Sequence, residues 1–448
     1  MNRTKKYRRK LTQIQFIVLG FLVIILLGAT LLSLPVSSRA HEATPFMDSL
    51  FTAVSSTCVT GLAVVDTFSH WSYFGQIVIL CMIQIGGLGF ITIGVLFSLV
   101  LRRKIGLKTR GLLQESVNTI KIGGIIRLAK KILFGTIIIE GAGAVLLAIR
   151  FSFDFGILKG IYFGVFHSVS AFCNAGFDLM GINEEFSSFS AYATDPFVNI
   201  IIMTLIVIGG IGFVVWDDIS SNGLRFRKYS FHTKIVLCST AFLIISGAVL
   251  FYIVEYNNTM ADMNVGERIL ASLFSSITPR TAGFNTVDTG ALREASLLLT
   301  CVLMFIGGSP GSTAGGIKTT TIFVLFGNLF ANIRGEKTGI FKRRFEEDAI
   351  KKASMVFTLN LILSVVACFI IMSVTTIDFD KIVFEVFSAI GTAGMSTGIT
   401  RELNMTSRVI LMILMFCGRI GSLSFALSFL QKKKVPPVYY PAEKISIG

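Results

Sequence analysis

Four strings along the chain end in glycine and share their residue types. They are AVSSTCVTG ending at Gly61, SVSAFCNAG at Gly176, SSITPRTAG at Gly283 and VFSAIGTAG at Gly394. Ser55, Ser170 and Ser388 each stand six residues before their glycine, while Ser276 stands seven before, as if Pro279-Arg280 carried one extra residue. The strings hold no carboxylate, so the chemistry on offer is that of backbone oxygens. Glycine lets the chain turn its carbonyls to one side, and carbonyls from four chains can replace the hydration shell of an ion. Such donors suit hard monovalent cations, whereas a ring of carboxylates would favour a divalent one. One such glycine alone would mean close helix packing; four at matching places point to a site.

A second constellation lies at 306–321, IGGSPGSTAGGIKTTT. Gly307, Gly308, Ser309, Pro310, Gly311, Ser312, Thr313, Ala314, Gly315, Gly316 and Lys318 interrupt an otherwise apolar stretch from 295 to 333. The density of glycine and hydroxyl groups suggests a phosphate loop. The nearest match to G-x-x-x-x-G-K-[ST] starts at Gly311, but Ile317 separates Gly316 from Lys318, so that spacing is not met. In a bilayer, irregular backbone survives only where protein covers it or where it lines a water-filled cavity. Related strings recur: IGGLGF at 85–90, IGGIGF at 208–213 and CGRIGS at 417–422. The interrupted stretch thus replaces part of an ordinary second span, facing the axis on the cytoplasmic side of the glycine strings.

The elements that must position these residues are membrane helices. The 448 residues are 53% hydrophobic and 15% charged, with mean hydropathy +0.74, which excludes an ordinary soluble domain. Apolar runs near 14–35, 72–100, 132–151, 197–216, 233–254, 295–333, 354–376 and 406–430 are long enough to span. The first follows a basic tail but no cleavage site, so it reads as a retained span. Between the members of each pair lie shorter segments, near 46–58, 162–173, 267–278 and 382–390, suited to re-entrant pore helices. The chain therefore divides into repeats at 1–110, 111–225, 226–340 and 341–430, with a tail at 431–448. The expected fold is an all-α polytopic membrane protein of four span–pore helix–span repeats around a pseudo-fourfold central pore.

Net charge is +15, yet nucleic acid is not the implied partner. Thirty of the 41 Lys/Arg fall in five blocks, the N-terminal tail, 102–131, 225–234, 334–352 and 432–444, which an even number of crossings places on one side. The positive-inside rule makes that side, with both termini, cytoplasmic. Asp66, Asp178, Glu184, Glu185, Asp195, Glu255, Asp262 and Asp288 fall on the other side, either as a cation-gathering vestibule or as a solvated face. The seven cysteines show no C-x-x-C, and the four histidines no metal-ligand spacing.

The repeat plan, the single glycine per string and the wording GGSPGSTAGGIKTT resemble the TrkH/KtrB superfamily of potassium transporters, nearest its KtrB-type members, over essentially the whole chain. The resemblance implies potassium uptake in the bacterial plasma membrane, with sodium as activator or coupling ion. It also implies a homodimer with one pore per protomer and a cytosolic KtrA/KtrC-type ring that carries ATP or ADP, the chain itself holding no organic cofactor. By that resemblance the selectivity filter is Val59-Thr60-Gly61, Asn174-Ala175-Gly176, Thr281-Ala282-Gly283 and Thr392-Ala393-Gly394, and the 307–318 loop with Arg419 forms a gate. The alternative function is a sodium- or proton-coupled carrier of another solute, using Glu140, Lys318 and Arg419.

Charges within apolar runs are costly and face the interior with partners. Arg419 serves either structural pairing to carbonyls or permeation. Glu140 lines a protomer interface or pairs with a basic residue. Lys318 snorkels to the inner boundary, Arg280 points away from the filter toward an acidic neighbour, and His167 is packed. The tail VPPVYYPAEKISIG suits a dimer interface or a regulator contact.

Overall fold

A computed structural model describes residues 12–89, 92, 111, 114, 124–335, 339–340 and 343–429. The basic N-terminal tail, most of the 102–131 loop and the C-terminal tail lie outside the described residues.

Unit one is α1 (Gln13–Leu32), α2 (Phe46–Thr57) and α3 (Tyr73–Leu88). Unit two is α4 (Ile125–Phe155), α5 (Ile157–Phe172) and a second span in two pieces, α6 (Pro196–Gly210) and α7 (Phe213–Asn222). Unit three is α8 (Phe231–Glu255), α9 (Val265–Ile277), α10 (Glu294–Phe305) and α11 (Thr319–Ile333). Unit four is α12 (Glu347–Val374), α13 (Phe379–Gly391), α14 (Met405–Ile420) and α15 (Ser422–Phe429). The first helix of each unit is long and apolar enough to cross a bilayer unaided. Starts are marked by side-chain caps that satisfy orphan N–H groups: Ser72 for α3, Asp195 for α6, Ser230 for α8 and Asn404 for α14. Thr12 with Gln15, and Asn264 with Glu267, form capping boxes at α1 and α9.

The pore helices α2, α5, α9 and α13 are buried along the faces that meet the spans. Glycine makes the approach possible: a Cβ on Gly86, Gly209 or Gly418 would overlap the carbonyl of Thr57, Phe172 or Ile390 respectively, each four residues before the glycine that ends its string. In lipid, where apolar helices gain little from mutual burial, such close packing and buried hydrogen bonds are what hold helices together.

The second spans are not ordinary in any unit. α3 stops at Gly89 (φ 80), α6 meets α7 through Gly212 (φ 98) with a 97° bend, and α14 meets α15 through Gly421 (φ 93). Only glycine takes these left-handed values without strain. The unit-three echo, IGGSPG, puts Pro310 at that place. Proline cannot adopt positive φ, so a one-residue kink is closed to it, and the chain makes an excursion before α11 begins at Thr319.

Candidate functional site

Each string leaves its pore helix by the same device. Val59, Asn174, Thr281 and Thr392 have φ of 58, 59, 72 and 50°, and Gly61, Gly176, Gly283 and Gly394 have φ of 97, 70, 80 and 82°. Left-handed values at β-branched residues are costly and persist only when the surroundings impose them. Here the straps are visible. The N–H groups of Thr60, Ala175 and Ala393 donate to the carbonyls of Ser55, Ser170 and Ser388, each at 2.8 Å. Ser170 Oγ donates to Phe177 O at 2.6 Å, and Gly61 N donates to Ser55 Oγ at 3.1 Å.

In unit three the equivalent strap is Thr278, which overturns the expected pairing of Ser276 with the other serines. Ala282 N donates to Thr278 O at 2.9 Å, and Thr278 Oγ1 donates to Phe284 O at 2.5 Å. Ser276 instead donates to Ile244 O of α8 at 2.8 Å, as Ser168 donates to Glu140 O of α4 at 2.6 Å. The third string is therefore one residue shorter than its fellows, not longer.

The four strings close into a ring. A Cβ on Gly61 would lie 2.6 Å from Ala175 O, on Gly176 2.8 Å from Ala282 O, and on Gly283 2.7 Å from Ala393 O; on Gly394 it would overlap Thr60 O. Each unit thus abuts the next in chain order, and the fourth returns to the first. Four backbone oxygens and four glycines share one small circle.

On one side of the ring lies a cavity of ≈ 440 Å³ that reaches all four glycines and is lined by Asp66, Asp178, Glu184, Glu185 and Asp288. Desolvation pushes the Asp178 carboxyl up to about 7, with Asp66 adding to the rise, while its hydrogen bonds to Met180 N and Ser188 oppose it. Asp195 and Glu255 do not contribute. Asp195 pairs with Arg150 at 2.7 Å, and Glu255 is buried against Ser296, Asn258 and Thr259.

On the other side, the 306–318 excursion crosses beneath the ring. Thr313 Oγ1 bonds Phe172 O at 3.0 Å and Asn174 Oδ1 at 3.1 Å, and a Cβ on Gly315 would strike the Thr392 side chain. The other units' echo strings hold the excursion. Ser309 N and Thr313 N donate to Gly210 O and Gly209 O, Gly316 N donates to Gly418 O at 3.3 Å, and Phe213 N donates to Gly311 O at 2.7 Å. Ser312 Oγ donates to Ser309 O at 2.7 Å, and Ser309 Oγ meets Thr319 Oγ1 at 3.1 Å. Arg419 donates to Thr313 O, to Gly86 O and, at 2.8 Å, to Gly87 O, pinning the loop to unit one. Beyond lies a second cavity of ≈ 190 Å³, lined by Gly311, Ser312, Ala314, Lys318 and Arg419 among others.

Several charges differ from expectation. Lys318 does not snorkel; its ammonium turns back on the loop, donating to Ala314 O at 2.8 Å and Gly315 O at 3.2 Å, because those carbonyls have no helical partners. Glu140 is 8% exposed, so it does not face another protomer, and it accepts from Gln84 Nε2 at 3.1 Å rather than from a basic residue. Arg280 has no acidic partner among the described residues and is buried beside the loop's foot. His167 is packed, its Nε2 accepting from Leu179 N at 3.0 Å and its Nδ1 donating to Phe163 O at 2.7 Å. One buried group was missed: Glu385 in α13 accepts from Ser396 and from Thr400 at 3.1 Å, bracing the chain just after Gly394. A carboxylate within the apolar run IVFEVFSAIG was its legible signal.

The TrkH family profile, described as a cation transport protein, matches residues 2–436. The potassium/sodium uptake protein NtpJ of Enterococcus hirae is 41% identical over 452 residues, 99% of each chain. The Ktr system potassium uptake protein B of Bacillus subtilis is 42% identical over 442 residues, 98% of this chain and 97% of that one. The solved potassium transporter TrkH from Vibrio parahaemolyticus superposes with TM-score 0.73 at 19% identity, over 96% of this chain and 87% of that one. With a profile match along nearly its full length and relatives above 40% identity, this multi-pass membrane chain belongs to the TrkH family of cation transport proteins.

Proposed function

We propose that the chain is the ion-translocating subunit of a Ktr-type system that takes up potassium across the bacterial plasma membrane, with sodium as activator or coupling ion. The observation that carries this reading is the closed ring of four glycines and four carbonyls, open to an acidic cavity on one side and crossed by a polar loop on the other. The strings 59–61, 174–176, 281–283 and 392–394 serve as the filter, where carbonyls and the negative ends of four pore helices favour a cation. With one aligned glycine per string, fewer carbonyl layers act than in a two-glycine filter, and discrimination against sodium is correspondingly weaker. The acidic cavity faces outward and the termini are cytoplasmic.

The 307–318 loop and Arg419 form the gate. A loop held by separate hydrogen bonds to units two and four, and through Arg419 to unit one, without regular structure of its own, can be released piece by piece. A cytosolic nucleotide-binding ring moves it, and two chains form the working dimer; the names of the Ktr system relatives support such an assembly. A carrier reading finds less support, since Glu140, Lys318 and Arg419 are each tied to different elements rather than gathered at one solute site.

The test is rescue of a potassium-uptake-deficient bacterium by this chain expressed with its regulatory partner, with sodium varied. Growth at low potassium that rises with sodium is expected. Growth no better than that of the empty host would reject the potassium reading.

A further inference from the structure

Three residues before each filter glycine stand Cys58, Cys173, Arg280 and Gly391. Only unit three carries a charge there. Arg280 lies just past the end of α9, its N–H donating to Ile277 O at 3.1 Å, and it directly precedes the filter residue Thr281. It is 7% exposed. Its Nε has no hydrogen-bond partner, and no ion pair reaches the guanidinium among the described residues.

The side chain borders a small space shared with Asn174, Gly210, Thr240 and Gly308, so it sits between the second and third strings and the foot of the loop. That space is ≈ 10 Å³, about the least that admits a single water. A hydrated counter-ion does not fit. Thr240 Oγ1, 6% exposed, is likewise without a partner there. The compensation at hand is the C-terminus of α9, roughly half a negative charge. In the other three units no charged side chain stands at the matching position of the string.

We propose that Arg280 is an affinity-setting residue: its fixed positive charge, acting through the third filter string, loosens the hold of the ring on any monovalent cation without choosing between cations. This rests on the reading of the ring as a cation filter. A monopole outside the coordination shell acts on sodium and potassium alike, because both carry one charge. Selectivity belongs to the carbonyl geometry. A passage that must release its ion as well as bind it gains from such a counterweight, since conduction needs binding weak enough to leave.

The test is uptake by the full-length chain with its regulatory partner in a potassium-uptake-deficient bacterium. Three variants are compared at matched membrane abundance: Arg280→Gln, Arg280→Cys, which copies units one and two, and Arg280→Lys. Loss of the charge should lower the KM for potassium about tenfold, the order expected of one poorly screened charge nearby. With sodium already at its activating level and potassium well below either KM, the inhibition constant for further sodium as a competitor should fall by the same factor, while Arg280→Lys stays near wild type. If Arg280→Gln and Arg280→Cys do not reach the membrane, Thr240→Asp, which sets a carboxylate across the same space, should lower both constants together. An unchanged KM in the charge-removing variants, or in Thr240→Asp where it decides, overturns the proposal. So does a changed ratio between the two ions, which would mean that Arg280 shapes the string. Absence of uptake in the wild type would instead remove the transport reading itself.

Discussion

The ring and the loop beneath it are built on opposite plans. Every unit supplies the ring with one string, and each string is strapped from behind by its own pore helix, then locked sideways by the next unit's carbonyl. The loop comes from unit three alone and is tied down by the echo strings of units two and four and, through Arg419, to unit one. The ring therefore cannot change at one place without disturbing its neighbours. The loop can let go of one tie at a time. A rigid, repeated part and a singular, separately fastened part are what an ion selector and a switch respectively need.

The comparison breaks most sharply at the ring. Gly283→Ser and Gly61→Ser place a side chain where φ is positive and a neighbour's carbonyl lies 2.7 or 2.6 Å from the new Cβ. Backbone strain alone costs about 1–2 kcal/mol, so the KM for potassium should rise at least tenfold in uptake assays, with loss of preference over sodium. Unaltered kinetics in both variants would dissociate the glycines from ion binding.

Removing the loop's middle should do the reverse. Deletion of residues 311–315 takes away the ties from Gly311, Thr313 and Arg419 while leaving the straps of the ring intact. Potassium flux should increase severalfold, roughly 3- to 10-fold for ties worth about 1 kcal/mol each, and depend less on the regulatory partner. A folded deletion variant that transports as wild type does would refute the gate.

A smaller effect is expected from Arg419→Ala, which leaves the loop its other ties. The maximal rate should change about threefold with KM for potassium moving less than twofold; the opposite split would place Arg419 in the binding step. The mildest probe is external pH. Because Asp178 titrates at about 7 rather than in the usual carboxylate range, the vestibule is more negative above that pH and less so below it. Apparent potassium affinity should weaken about twofold as pH falls from about 8 to 6, in keeping with one partly screened charge. Asp178→Asn should flatten that response, and a response retained in full by the variant would assign it to another group.

Much of this was legible in one dimension because it repeats. Spacing alone matched the strings ending at Gly61, Gly176, Gly283 and Gly394, and apolar run lengths separated crossing helices from pore helices. Repetition also misled. Ser276 looked like the partner of Ser55, Ser170 and Ser388, yet Thr278 takes that position, since a strap is chosen by which hydroxyl faces the turn and not by residue type. The second spans looked continuous in three units, because a glycine in a helix and a glycine that ends one at φ near 90° are the same letter.

The sequence by itself determined the number of units, the class of donor and the one unit that departs from the rest, since apolar length, glycine periodicity and Pro310 are all written in composition. Only the tertiary structure decided which oxygens meet which glycines, which carbonyls hold Arg419 and Lys318, and that the Arg280 Nε has no partner among the described residues. Apart from Lys318, whose carbonyls lie four and three residues back, the contacts among them join residues more than a hundred positions apart. Hydrogen bonds and close approaches act over a few ångströms and carry no trace along the chain.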